Sequence, residues 1–160
     1  MMSDTVKVEG LKELSRAMQK LGRKTATRIA KNAMYQGGVI IRDDARQKAP
    51  ILKSPAPNRK AGTLKKAIKS RTKVHRNGTT ETIIWVKGLK SKQIAKFKAK
   101  TGKSGAKNPN DPFYWKFVEF GTSKMRAKPF LRPAFQQSKN KAANTIIKTL
   151  QDEIIKECNK

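Results

Sequence analysis

Apolar residues recur along this chain with two different periods, and the change of period marks its elements. Leu11, Leu14, Met18 and Leu21 follow one face of an α-helix that Gly22 closes. A longer helical pattern runs from Arg23 to Ala49 through Ile29, Ala33, Ile40, Ile41 and Ala45, and Pro50 ends it. Gly37 and Gly38 lie in its middle, where each costs about 1 kcal/mol relative to Ala. The pair predicts either a kink or a close approach of a neighbouring element. Pro55, Pro57 and Gly62 mark the next segment as a loop, and Thr63 to Lys69 predicts a short helix.

The period then falls to two. Ser70 to His75 and Thr79 to Lys87 read as strands joined by Arg76, Asn77 and Gly78, with Asn77-Gly78 as the hairpin signal. The second, T-E-T-I-I-W-V, is the piece richest in β-branched residues and is expected to lie centrally in a small sheet. Thr5 to Glu9, with Val6 and Val8 on one face, predicts a further short strand. From Pro133 to Glu157, Ala142, Ile146, Leu150 and Ile154 stand at i+4 steps with Ala143 and Ile147 beside them, an amphipathic helix that should pack on the sheet. These elements predict an α+β fold, a small, mainly antiparallel sheet packed by a long helix of the N-terminal half and a C-terminal amphipathic helix. A length of 160 residues suits one domain over 1–160.

Seven of the ten aromatic residues fall between Phe113 and Phe135. Phe113, Phe117 and Phe120 are spaced i, i+4, i+7, and Tyr114 and Val118 i, i+4, so a short helix could bury aromatics on one broad face and stop at Gly121. Beyond Thr122 and Ser123, a basic linker (Lys124, Arg126, Lys128) leads to Pro129 and Pro133. The two prolines bracket Phe130 and Leu131 and disfavour helix between them, and Pro133 suits the first turn of the next helix.

Charge changes this picture. Thirty-eight Lys and Arg against eleven Asp and Glu give a formal charge of +27, self-repelling unless an anionic partner is near. From Ala45 to Asn110 there are nineteen basic residues and one acid, Glu81. Lys87, Lys90, Lys92, Lys96, Lys98, Lys100, Lys103 and Lys107 form the densest run, in a K-x-K pattern that predicts a flexible loop over about 88–112. Lysine without interleaved aromatics suits phosphate or acidic-partner contact rather than base stacking, and a merely solvated loop is the alternative. Zinc-finger, leucine-zipper and helix-turn-helix signals for sequence-specific DNA reading are missing.

Catalytic and metal chemistry find little support. Thr101 to Gly105 reads T-G-K-S-G, but Phe97 stands where a phosphate loop needs its first glycine. His75 is the sole histidine and Cys158 the sole cysteine, too few for a zinc cluster, a triad or an intrachain disulfide. Asp43-Asp44 and Asp152-Glu153 are adjacent on helices and diverge, as on a solvated face. No cofactor, metal or catalytic residue is expected, and neither a secretion signal nor a membrane span. Glu119 is the only acid between Pro112 and Gln151. It predicts either an ordinary intrachain ion pair or a carboxylate that sets register with a neighbouring subunit. Phe130 and Leu131 predict either a core plug or an intersubunit anchor.

The order of aromatic helix, E-F-G-T, basic linker, K-P-F-L-R-P-A and long helix resembles the tail-component family of siphophages, which are head-to-tail neck or tail-completion proteins. Val118 to Met125 and Pro129 to Ala134 carry the strongest part of the resemblance. Val8 to Leu11, the long helix ending at Ala49 and Pro50, and G-T-L-K-K-A-I from Gly62 to Ile68 carry the rest. The run from Lys87 to Lys107 is longer and more basic than the family pattern. The resemblance implies a structural, non-enzymatic virion protein that assembles as a ring at the head-tail junction. The sixfold symmetry of tail tubes of this kind points to a hexamer, and the lone Cys158 suits synthesis in the bacterial host cytoplasm. The protein would join connector and tail proteins, with viral DNA in its channel; the charge of the lysine run then suits non-specific contact with that DNA or with an acidic neighbouring protein. Glu119, Phe120, Gly121, Thr122, Pro129, Phe130, Leu131, Arg132 and Pro133 are then the subunit-interface candidates. A small basic protein that binds nucleic acid without specificity is the alternative.

Overall fold

The computed structural model describes residues 11–53 and 56–159, so the strand expected at Thr5 to Glu9 lies outside the described residues. The helices are α1 (Leu11–Lys20), α2 (Arg23–Lys48), α3 (Thr63–Ala67), α4 (Ser91–Thr101), α5 (Trp115–Phe120) and α6 (Leu131–Cys158). Strands β1 (Ile68–Val74) and β2 (Thr80–Val86) follow α3, and a 3-10 turn, Gly105–Lys107, separates α4 from α5. The fold is α+β, with α2 and α6 packing on an antiparallel pair of strands. Among the described residues β2 pairs with β1 alone. The central position expected of it is therefore not found among those residues.

The chain forms two compact units, one of Met1–Ile41, Ser70–Ile84 and Gln136–Lys160, the other of Arg42–Lys69 and Trp85–Phe135.

In the first unit, Ile29, Ala33 and Gly37 form a buried i+4 stripe on α2, as do Ser138 and Ala142 on α6, continued by Ile146, Leu150 and Ile154. The two glycines mark close approach rather than a kink, since α2 runs unbroken through them. A Cβ on Gly37 would lie 2.5 Å from Cγ1 of Ile146 and 3.2 Å from the Ala142 carbonyl, and one on Gly38 would collide with the Thr82 methyl. Thr82 cannot easily yield. Its hydroxyl donates to the Met34 carbonyl (3.0 Å) and meets the hydroxyl of Thr72 across the ladder (2.8 Å). The hairpin closes as its residues predict: His75 N–H donates to the Thr79 carbonyl, Asn77 Oδ1 accepts from Thr79 N–H, and Gly78 takes φ 87°. Arg28 on α2 bridges Glu153 and Glu157, one turn apart on α6.

In the second unit the core comprises Ala45, Ala49, Leu64, Ile68, Val86, Phe130 and Ala134. Arg46 donates twice to the Ile68 carbonyl (2.9 and 3.2 Å), which fixes the end of α2 against the α3–β1 junction. Arg59 lies over the rings of Phe113 and Tyr114, 5.0 and 5.3 Å from their centroids, and donates to the Ala106 carbonyl.

Two expectations change in this unit. The segment expected to be irregular contains α4: Ile94 and Phe97 stand half-buried at i, i+3 among exposed lysines that obscure them in the sequence, and Gly105 closes onto Ile94. Gly102, part of the T-G-K-S-G string, is the stop of this helix: it adopts φ 68° and its N–H donates to the Lys98 carbonyl at 2.8 Å. The second change concerns α6, which starts at Leu131 rather than Pro133 despite the bracketing prolines. A carboxylate supplies what the first turn lacks.

Candidate functional site

The i, i+4, i+7 set of Phe113, Phe117 and Phe120 around α5 inverts the expectation that it is buried. Phe113, Phe117 and Phe120 are exposed, Phe120 at 62 %, and the residue of α5 that is buried is Glu119, 1 % exposed. A six-residue helix offers one face to the interior, and Glu119 occupies it. Its Oε2 accepts the N–H groups of Phe130 (2.7 Å) and Leu131 (3.0 Å), and Oε1 that of Arg132 (3.1 Å). These are donors that the start of α6 would otherwise leave unpaired, and an anion there is favoured by the helix dipole. Arg132 Nε adds an ion pair at 3.5 Å, and its guanidinium lies over the Phe120 ring at 5.1 Å. Burial works to raise the Glu119 carboxyl, but the three backbone N–H bonds and Arg132 together hold it below the ordinary glutamate value.

Gly121 makes this geometry accessible to the chain. It turns with φ 76° as α5 ends, and a Cβ there would lie 2.9 Å from both the Ala127 nitrogen and the Met125 carbonyl. Thr122 N–H donates to that same carbonyl, and Lys128 N–H returns to the Val118 carbonyl at 2.8 Å. The E-F-G-T string is thus a buried clamp, an exposed ring, a compulsory turn and a bridge to Met125.

Of the nine interface candidates, Phe120, Thr122, Pro129 and Arg132 are exposed, Gly121, Leu131 and Pro133 are half-buried, and Glu119 and Phe130 are enclosed by the chain itself. Beside the exposed aromatics lies a groove of about 650 Å³, lined by Ile51, Leu52, Tyr114, Phe117, Val118 and Met125 and edged by Lys53, Lys60 and Lys128. Ile51 and Leu52, which belong to no periodic pattern in the sequence, become part of an apolar surface only through the fold.

The eight lysines from Lys87 to Lys107 divide. Lys92, Lys96 and Lys100 stand at i, i+4, i+8 on α4, exposed, about 6 Å apart along the axis. Lys87 instead lines a cleft of about 300 Å³ with Lys60, Lys66 and Lys69, three lysines that no local pattern in the sequence singled out. Among the described residues no group of three or more His, Cys, Asp or Glu could hold a metal ion, and no helix is long and apolar enough to cross a membrane. His75 pairs with Glu81 at 2.8 Å, and Cys158 is exposed. Asp43 binds Arg42 and Arg46, and Asp44 binds Lys48; both acids are half-buried.

Comparison with protein families identifies the chain as a structural component of a bacteriophage tail. It belongs to the HK97-gp10-like family of bacteriophage tail components, whose model matches residues 12–121, over two thirds of its length. No curated protein and no solved structure matches it. The match ends at Gly121, so Glu119 lies inside it, whereas Pro129 to Pro133 and all of α6 lie beyond.

Proposed function

We propose that the chain assembles as a ring, hexameric by analogy with tail-tube symmetry, at the head-tail junction of the virion, as a neck or tail-completion protein that admits viral DNA through its channel. One observation carries this reading: the family-matched chain keeps Glu119 inside while Phe113, Phe117, Phe120 and Met125 remain exposed beside an apolar groove. Exposed large apolar side chains around a groove that Phe117 and Met125 themselves line are a mark of protein contact. A ring needs two different patches on each copy, and the second copy would seat its own patch against the Phe117–Phe120 side and the groove. Phe120, Thr122, Pro129, Leu131, Arg132 and Pro133 then make the contact, while Glu119 and Phe130 support it from inside.

Native mass measurement at high salt tests this with wild type and a Phe117→Ser/Phe120→Ser variant, together with complementation of particles lacking the chain. A discrete ring and head-tail joining in wild type, both abolished in a variant that melts normally, is the expected result. A variant that joins particles at the wild-type level overturns it. The charge of +27 favours a second reading, a general nucleic-acid binder. It expects a salt-stripped monomer and no joining defect in the same variant.

A further inference from the structure

The cleft behind Lys87 is the strongest unassigned feature. Its walls come from α3 and the residues before it, the start of β1 and the chain leaving β2, with Gln93 of α4 and Asn110 completing them, all within the second unit. Lys87 N–H donates to the Ala67 carbonyl at 2.9 Å, carrying the ladder one step past the strands and setting Lys87 against the junction that bears Lys66 and Lys69. The loop opposite is tied to α3, where the Thr63 hydroxyl donates to the Pro109 carbonyl at 3.0 Å. Four lysines therefore share a cavity of about 300 Å³ that no acidic side chain lines. None of the four ammonium groups has an ion-pair or hydrogen-bond partner among the described residues.

Like charges gathered on one cavity repel each other, and a bound polyanion removes that repulsion. A second cation-lined cavity, with Arg28, Lys31 and Arg71, lacks this property, because Glu153 also lines it and already pairs with Arg28. The α4 lysines form an open row on a convex helix, whereas the cleft brings its charges around one volume. The occupant's chemistry follows from the lining. Without a guanidinium fork the cleft has no bidentate grip on a carboxylate, and without an aromatic side chain it has no platform for a base. Ammonium groups acting as point charges suit the phosphodiester backbone of a nucleic acid.

We propose that the cleft of Lys60, Lys66, Lys69 and Lys87 is a seat for the DNA phosphate backbone, and that it contributes more to DNA binding than the lysine row of α4. This rests on the reading that the chain meets viral DNA. The test compares three full-length proteins binding a random-sequence DNA duplex over a salt series: wild type, Lys60→Gln/Lys66→Gln/Lys69→Gln/Lys87→Gln, and Lys92→Gln/Lys96→Gln/Lys98→Gln/Lys100→Gln. Both variants remove the same formal charge, so a difference between them reports geometry. The slope of log K against log salt should flatten by roughly 0.9 for each phosphate that is no longer neutralised, by about 2 to 4 in the cleft variant and by less than about 1 in the α4 variant. Lysine footprinting of wild type, which needs no variant to fold, should show Lys60, Lys66, Lys69 and Lys87 protected by DNA more strongly than Lys92, Lys96 and Lys100. Equal flattening in both variants, or greater protection on α4, overturns the cleft while leaving DNA binding intact. Wild type that fails to bind DNA overturns both, and ring formation in native mass measurement is then judged separately.

Discussion

Glu119 accepts the backbone N–H of Phe130 at 2.7 Å although eleven residues separate them, and both side chains are buried. The bond joins the end of α5 to the start of α6, and the carboxylate spends both oxygens on main-chain donors. Glu119→Gln keeps the size of the side chain but replaces one acceptor oxygen with a donor group. At least one buried N–H is then left without its partner, at a cost of about 1–3 kcal/mol. Thermal melting of the monomer should fall by several degrees. An unchanged Tm accompanied by an assembly defect would instead give Glu119 a role between subunits.

The same carboxylate gives stability a pH dependence. Its folded pKa is held below the ordinary value of 4.5, so the unfolded chain takes up its proton first as pH falls. The stabilisation is fully present above that ordinary value and is lost as pH falls through the depressed folded value. Denaturant midpoints of wild type and Glu119→Gln should therefore differ most near neutrality and converge in acid. A gap that stays constant down to strong acid would contradict this role for the carboxylate.

Phe120 and Phe130 should part company on truncation. Phe130 is 0 % exposed, and Phe130→Ala is expected to cost about 3–5 kcal/mol in monomer stability. Phe120 gives up mainly its stacking with Arg132, so Phe120→Ala should cost the monomer at most about 1 kcal/mol, with the larger effect on assembly. Comparable drops in Tm in the two variants would refute the separation.

Gly38→Ala gains about 1 kcal/mol in helix propensity but drives a methyl into Thr82, whose hydroxyl bonds two partners. Overpacking of that kind costs about 1–3 kcal/mol, so the net effect is expected to be a lower Tm. A Tm equal to or above wild type would indicate that Thr82 turns aside without penalty.

Elements specified by near neighbours were legible in the sequence. The second helix begins at Arg23 as its pattern indicates, the hairpin turns at Asn77-Gly78, and the i+4 stripe of Ala142 to Ile154 faces inward. What escaped depends on distant groups. Hydrophobicity ranks Phe120 inside and Glu119 outside, and the reverse holds because three N–H groups from the next helix meet the carboxylate. Repulsion among lysines hides α4, whose half-buried positions are Ile94 and Phe97 and whose stop is a glycine. Lys60, Lys66, Lys69 and Lys87 are scattered in sequence and become one feature only when Ala67 pairs with Lys87.

The clamp at Glu119 reads main chain at three positions and adds one side chain, Arg132. Any residue except proline presents the same N–H, so the three backbone bonds survive a change of identity at positions 130 to 132, provided the ring of Phe130 is replaced by something that fills its space; a change at Arg132 gives up only its added ion pair. Changes to the length or outer surface of α6 beyond its first turn therefore leave the joint intact, because one acid and one glycine at the end of the matched region hold it.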